Sequence, residues 1–264
     1  MIDDEAVRKL ASQLDEALLA RREIPPLTKT FGPLGLDDAY QVQRRGISLR
    51  LARGERIVGY KMGLTSEAKR AQMNLGLPIY GVLTDAMAVV DGGDISITEG
   101  VHPKGEPEIA FVTARELRGR ITREEALAAC SGVAAAIEVL DSRFVGFKYF
   151  SLPDVVADNC SSWRFVLGAV RPASRLSLEA LARAELRLCI GGELRQTAPA
   201  TSISGHPMES LVQLVALLGD AGESLPAGSI VLAGAATAAE PLAAGHRFEL
   251  AVSGLGGASF RCAP

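Results

Sequence analysis

The sequence predicts an α+β protein: a β-rich, mixed domain with peripheral helices, preceded by a helical N-terminal lobe. Three observations lead there. The first 56 residues carry helical periodicity broken by Pro25-Pro26. From Ile57 onward, short β-like runs alternate with glycine turns. Only short helices intervene, so the regular strand–helix alternation of a doubly wound sheet is missing. The 264 residues therefore divide into a lobe at 1–56 and a body at 57–264, long enough to bury a sizeable core.

Each element follows from its own pattern. Val7, Leu10, Leu14, Ala17 and Leu18 recur at helical spacing within residues 3–22, with Asp3 and Asp4 at the positive end. Pro25-Pro26 stops that helix. A second helix is predicted from Asp37 to Ala52, capped by Asp37 or Asp38, with Arg44, Arg45 and Arg50 as a basic face that is solvated or paired. Strands are predicted at 57–62, 88–90, 109–113, 137–140 and 165–170, with short helices at 67–73 and 123–129. Leu186–Ile190 and Glu193–Gln196 flank Gly191-Gly192, a two-residue hairpin signal. A longer helix runs from His206 to Leu218 with Pro207 in its first turn. Strands at 230–232, 248–252 and 258–262 close the chain.

Composition narrows the function classes. A net charge of −3 leaves no basic footprint for nucleic acid. No apolar run approaches the roughly 20 residues of a membrane helix. The acidic start, Met1-Ile2-Asp3-Asp4-Glu5, has no signal-peptide pattern, so the expected location is the cytoplasm. Cys130, Cys160, Cys189 and Cys262 lie far apart, as reduced packing residues do.

The chemistry concentrates in His102-Pro103-Lys104-Gly105-Glu106-Pro107-Glu108-Ile109-Ala110-Phe111. A strand puts residues i and i+2 on one face, so Glu106 and Glu108 project side by side next to apolar side chains. Two like charges in a poorly solvated place repel, and a divalent, oxygen-loving ion between them relieves both costs. Glu138, inside the apolar run Ala136–Leu140, supplies a third carboxylate. Three such ligands suit Mg²⁺ or Mn²⁺ and leave positions for water or substrate. The competing reading is that these glutamates simply alternate into solvent, the usual fate of ionised residues. Lys61, within Ile57–Gly63, either snorkels at a strand end or is buried beside an anion. Asp158-Asn159-Cys160-Ser161-Ser162 reads as a polar turn. Arg143 and Arg164 are surface ion-pair partners or clamps for a substrate carboxylate. His206 is a weak signal at a helix start. No nucleophile elbow, P-loop or dinucleotide fingerprint occurs.

Taken in order, Gly59–Ser66, Pro78-Ile79-Tyr80-Gly81, His102–Phe111, Glu138–Arg143 and Val156–Asn159 resemble the hydratase/decarboxylase family of the fumarylacetoacetate hydrolase superfamily, over roughly residues 35–262. The resemblance implies a mixed β-roll and a Mg²⁺- or Mn²⁺-dependent enzyme of aromatic meta-cleavage degradation. It places the metal ligands on Glu106, Glu108 and Glu138. Catalytic roles fall on Lys61, Asp158 and Asn159, and substrate-binding roles on Ile79, Arg143, Ser161, Arg164 and His206. It implies a small 2-oxo-dicarboxylate substrate, a homo-oligomer and a complex with the pathway hydratase. Hydratases of the family tend to carry an acid where this chain has Ile79. Together with Arg164 and His206-Pro207, this points to decarboxylation of 2-oxohex-3-enedioate, with hydration of 2-hydroxypentadienoate as the alternative. The sequence departs from the family pattern at Gly105, where a larger apolar residue is usual, and over Thr197–Ser202. Tyr80–Met87 reads as much like a hydratase. Residues 64–85 are the candidate lid.

Overall fold

A computed structural model describes residues 1–65, 78–147 and 151–264. Helix α1 (Asp4–Leu19) starts on Asp3, whose carboxylate accepts from the Ala6 N–H, and buries Val7, Leu10, Ala11, Leu14 and Ala17. After the single turn α2 (Leu27–Thr30), α3 runs from Leu36 to Ala52. Its cap residue is Gly35, not an aspartate. Asp38 instead reaches back to accept from the Gly35 N–H at 3.1 Å, and it also takes the Ile2 N–H at 3.0 Å. Of the predicted basic face, Arg44 and Arg45 are exposed, whereas Arg50 is buried 3.4 Å from Glu55.

The body consists of two sheets. The first eight strands are β1 (Ile57–Gly63), β2 (Ile79–Thr84), β3 (Ala88–Val89), β4 (Asp94–Ser96), β5 (Lys104–Thr113), β6 (Cys130–Leu140), β7 (Ser162–Leu167) and β8 (Arg171–Pro172). They are followed by β9 (Glu185–Ile190), β10 (Glu193–Pro199), β11 (Ile230–Leu232), β12 (Glu240–Pro241), β13 (Arg247–Val252) and β14 (Gly256–Ala263). The larger sheet is ordered β2-β1-β11-β5-β6-β7-β3, with β12 on β5 and β8 on β6; the smaller is β10-β9-β13-β14-β4. The predicted hairpin joins β9 to β10, and its Gly191 and Gly192 both take positive φ (61° and 83°), as a primed turn requires. Helices α4 (Arg123–Ala128), α5 (Leu152–Ala157), α6 (Leu178–Ala182) and α7 (Pro207–Asp220) lie between strands. Among the described residues no helix is long and apolar enough to cross a membrane.

Alternation divides the larger sheet's side chains between two faces. One face sends Tyr60, Met62, Ile109, Phe111, Val133, Ile137 and Val231 into the main core shared with the smaller sheet and α7. The other carries a small cluster of Leu83, Met87, Ala110, Ala136, Phe165 and Leu232. The helical lobe is held through a third cluster that joins α1 and α3 to Ile79, Phe144, Val156, Ala157 and Cys160.

Three sequence expectations change. Strand β5 begins five residues earlier than Ile109, so both glutamates lie inside it. Residues 79–84, read as part of a lid, form a wholly buried strand paired along β1; burial on both faces removes the polar alternation that would have marked it. Helix α5 was not anticipated. The predicted helix at 67–73 falls outside the described residues. Gly105 also finds its reason: a Cβ there would lie 2.8 Å from the Phe248 ring, which stacks on Phe260 at 4.9 Å and fills that space.

Candidate metal centre

The register of β5 and β6 sets Glu106 opposite Glu138 and Glu108 opposite Ala136. Leu232 of β11 lies opposite Ala110, and Lys61 of β1 lies opposite Leu232. Three carboxylates and one ammonium therefore share a single sheet face, beside the Leu83–Phe165–Leu232 cluster. One oxygen from each of Glu106, Glu108 and Glu138 lies within 4.8 Å of the others. Glu108 and Glu138 are fully buried and Glu106 is partly so.

Each buried glutamate has one oxygen committed to the protein. Glu108 Oε2 accepts from the Gly234 N–H at 2.7 Å, and Glu138 Oε1 accepts from Ser162 Oγ at 3.2 Å. Their other oxygens, Glu108 Oε1 and Glu138 Oε2, have no hydrogen-bond partner. Lys61 Nζ lies 3.0 Å from Glu138 Oε2, close enough for an ion pair but off the hydrogen-bond direction, and donates instead to the Cys160 carbonyl at 3.2 Å. Buried, unsatisfied carboxylate oxygens are expensive. Converging hard oxygens of this kind fit a Mg²⁺- or Mn²⁺-sized ion. Burial, and then the neighbouring Glu138, push the Glu108 carboxyl well above its ordinary range, against the pull of Lys61. Burial also works against charge on Lys61, but Glu138, with Glu106 and Glu108, outweighs it and raises the lysine, which stays an ammonium.

The polar turn after α5 completes this wall. Asn159, Cys160 and Ser161 are three successive non-glycine residues with positive φ (48°, 52° and 60°), a strained run that needs strong fixing. The Asn159 amide supplies it. Its Oδ1 accepts from the Val82 N–H at 2.8 Å and its Nδ2 donates to the Val82 carbonyl at 2.9 Å. Cys160 Sγ donates to the Tyr80 carbonyl, and the Asp141 N–H donates to the Ser161 carbonyl. Gly81, opposite Lys61 in β2, makes room: a Cβ there would lie 2.8 Å from Asn159 O and 3.1 Å from Lys61 Cδ.

Several expected site residues have other employment. Arg143 donates Nε to Asp158 Oδ1 (2.5 Å), Nη1 to the Asp141 carbonyl (2.6 Å) and Nη2 to the Asp158 carbonyl (2.6 Å). Burial pushes the Asp158 carboxyl up to about 6 even with that guanidinium beside it. Arg143 and Asp158 thus brace the turn from within. Arg164 lies opposite Val139, on the face away from Glu138, where it stacks over Trp163 and reaches Glu99. His206 is the cap of α7: Nδ1 accepts from the Met208 N–H and Nε2 donates to the Leu178 carbonyl. Ser161 is buried in the turn, where its N–H donates to the Asp158 carbonyl. Ile79 lies on the Lys61 face of β2, two residues from Gly81, buried against the lobe. Ser162, Gly234 and Gly81 were not singled out from sequence. A backbone donor and an absent side chain leave no pattern, and only Ser162, inside the polar cluster, offered a signal.

A carboxylate centre on one face of a mixed sheet defines a class of protein, and comparison gives it a family. The fumarylacetoacetate (FAA) hydrolase C-terminal model matches residues 56–262, and the chain belongs to that family. It is 42% identical over 255 residues (96% of this chain and 97% of the relative) to a protein of Pseudomonas sp named 4-oxalocrotonate decarboxylase. It is 34% identical, over 99% of both chains, to the 2-hydroxyhexa-2,4-dienoate hydratase of Comamonas testosteroni. Among solved structures, 4-oxalocrotonate decarboxylase from Pseudomonas putida G7, complexed with magnesium and adipate, superposes with a TM-score of 0.94 at 38% identity, covering 99% of each chain.

Proposed function

We propose that this chain is a Mg²⁺- or Mn²⁺-dependent decarboxylase that converts 2-oxohex-3-enedioate to 2-hydroxypenta-2,4-dienoate and CO₂ in meta-cleavage degradation of aromatics. The observation that carries this reading is the buried trio Glu106, Glu108 and Glu138, with two oxygens lacking partners and Lys61 beside it. Near-full-length similarity to decarboxylases supports the substrate. On this reading residues 1–56 form a lobe that caps the 57–264 catalytic body.

The three glutamates would hold the ion, which supplies Lewis acidity at the 2-oxo group of the substrate. Loss of CO₂ from C6 sends an electron pair through the alkene to the ketone oxygen, and protonation of that dienolate gives the product. Lys61, kept cationic by its glutamate neighbours, places fixed positive charge where negative charge develops. Ile79 supplies an apolar wall with no acid to repel the C6 carboxylate and no group to hydrate a diene. A tight grip on C6 would oppose the reaction, because its charge is leaving. The commitment of Arg143 and Arg164 to other partners agrees with that requirement.

The test is direct. Purified protein with Mg²⁺ or Mn²⁺ should consume 2-oxohex-3-enedioate with stoichiometric CO₂ release. Hydration of 2-hydroxypentadienoate without CO₂ release would replace this reading with the hydratase.

A further inference from the structure

We infer that Ser162 sets which dication the centre prefers, by holding Glu138 to a single available oxygen. The inference rests on the metal reading above and goes beyond it, to selectivity. Ser162 is fully buried and its hydroxyl donates to Glu138 Oε1 at 3.2 Å; the Gly234 N–H does the same for Glu108 Oε2 at 2.7 Å. On both buried glutamates one oxygen is tied to the protein by a hydrogen bond, and the other has no hydrogen-bond partner, that of Glu138 lying 3.0 Å from Lys61 Nζ.

A local irregularity in the sheet puts Ser162 in place. Pairing runs Glu138 to Phe165 and Val139 to Arg164, then skips a residue, so that Leu140 faces Ser162. Trp163 is the extra residue of a β-bulge, a device that re-aims side chains. It turns into the main core, and Ser162 falls on the face of Leu140 and Glu138. Without the bulge, Trp163 would stand opposite Leu140 and no hydroxyl would meet the carboxylate.

A carboxylate with one oxygen tied back is a one-oxygen ligand. That suits Mg²⁺, which is small, octahedral and sparing in its use of protein ligands. Ca²⁺ is larger, takes six to eight oxygens and often uses both oxygens of a carboxylate. Removing the Ser162 hydroxyl frees Glu138 Oε1 to turn toward a large ion, and it also removes a hydrogen bond that orients the ligand for a small one.

The experiment is calorimetric titration of the metal-stripped full chain with MgCl₂ and CaCl₂. It compares wild type, Ser162→Ala and a control, Ser142→Ala, in which a buried serine hydroxyl accepts the Phe144 N–H. In Ser162→Ala the ratio of Ca²⁺ to Mg²⁺ affinity should rise by about tenfold, the scale at which partners of metal ligands act. Ser162→Cys, which keeps the bulk with a poor donor, should move the ratio the same way and serves if the alanine variant folds badly. In Ser142→Ala the ratio should stay at the wild-type value. An unmoved ratio in both Ser162 variants, with the two affinities falling together or not at all, overturns the inference while leaving the metal site standing. An equal shift in Ser142→Ala overturns it as well. A wild-type chain that binds neither ion overturns the metal reading and this inference with it.

Discussion

Lys61 Nζ lies 3.0 Å from Glu138 Oε2, with both side chains buried in the sheet. The pair locks the lysine in its charged form. Beside it, the Glu108 carboxyl, pushed up by burial and by Glu138, would ionise on a bound dication.

Replacing Lys61 with Met should separate binding from chemistry. The uncompensated buried glutamates should lower the stability of the metal-free protein by about 3–5 kcal/mol, the usual cost of breaking a buried pair. Added Mg²⁺ should restore much of it. Decarboxylation should fall by about 10²–10³-fold, as when one preorganised electrostatic partner is lost, while calorimetry still detects the ion. Loss of metal binding in parallel with activity would show that Lys61 serves the site's assembly and not the reaction.

Proton linkage should mark the centre. In the metal-free protein burial and Glu138 raise the Glu108 carboxyl above its ordinary value of 4.5. As pH climbs from that value toward the folded one, the unfolded chain has released a proton that the folded chain still holds. Metal-free stability is thus greatest below the unfolded value and falls across that window. Metal requires the carboxylate, so binding releases the proton and Mg²⁺ affinity rises over the same range. The gap in melting temperature between Mg²⁺-loaded and stripped protein should therefore widen with pH, and buffers of different ionisation enthalpy should report proton release. Glu108→Gln should abolish the gap together with turnover. A pH-independent gap in the wild type would remove Glu108 as a ligand.

Much of this arrangement was legible in the sequence because β structure writes its faces in steps of two. Glu106 and Glu108 share a face for that reason, and the apolar company of Glu138 marked it as buried. Residues whose roles depend on long-range pairing were harder to read. Arg143 and Arg164 carry the same charge and the same possible chemistry, but one is enclosed by Asp158 and two carbonyls, and the other, opposite Val139, alternates onto the face away from Glu138. His206, a weak signal at a helix start in the sequence, fills a capping site that Ser, Thr or Asp normally takes.

Asn159 should behave as a positioning residue. Its amide takes both the N–H and the carbonyl of Val82, and so fixes the left-handed turn whose next carbonyl receives Lys61. Asn159→Asp keeps the shape but loses the donor to Val82 O, which should cost about 1–3 kcal/mol for a buried group left unsatisfied. The reaction should slow through kcat with KM nearly unchanged, since the change reaches the substrate only through Lys61. Asn159→Gly, which relieves the positive φ but removes both hydrogen bonds, should be no better. A selective rise in KM would instead place Asn159 against the substrate.

Arg143 offers the sharpest contrast between a brace and a substrate clamp. All three of its guanidinium nitrogens are engaged within the protein, and it is almost wholly buried. Arg143→Met leaves Asp158 buried without its partner, so stability should drop by about 3–5 kcal/mol, increasingly as pH rises above the ordinary carboxylate value of 3.8. Arg143 holds this carboxyl down, so without the guanidinium it ionises higher still, and stability is lost progressively as pH rises from the ordinary carboxylate value toward that raised one. Unfolding midpoints near pH 5 and pH 8 should therefore differ more in the variant than in the wild type. In the protein that remains folded, KM for 2-oxohex-3-enedioate should be unchanged, because all three guanidinium nitrogens are turned to Asp158 and the Asp141 carbonyl inside the protein. A tenfold rise in KM at unchanged stability would return Arg143 to the substrate.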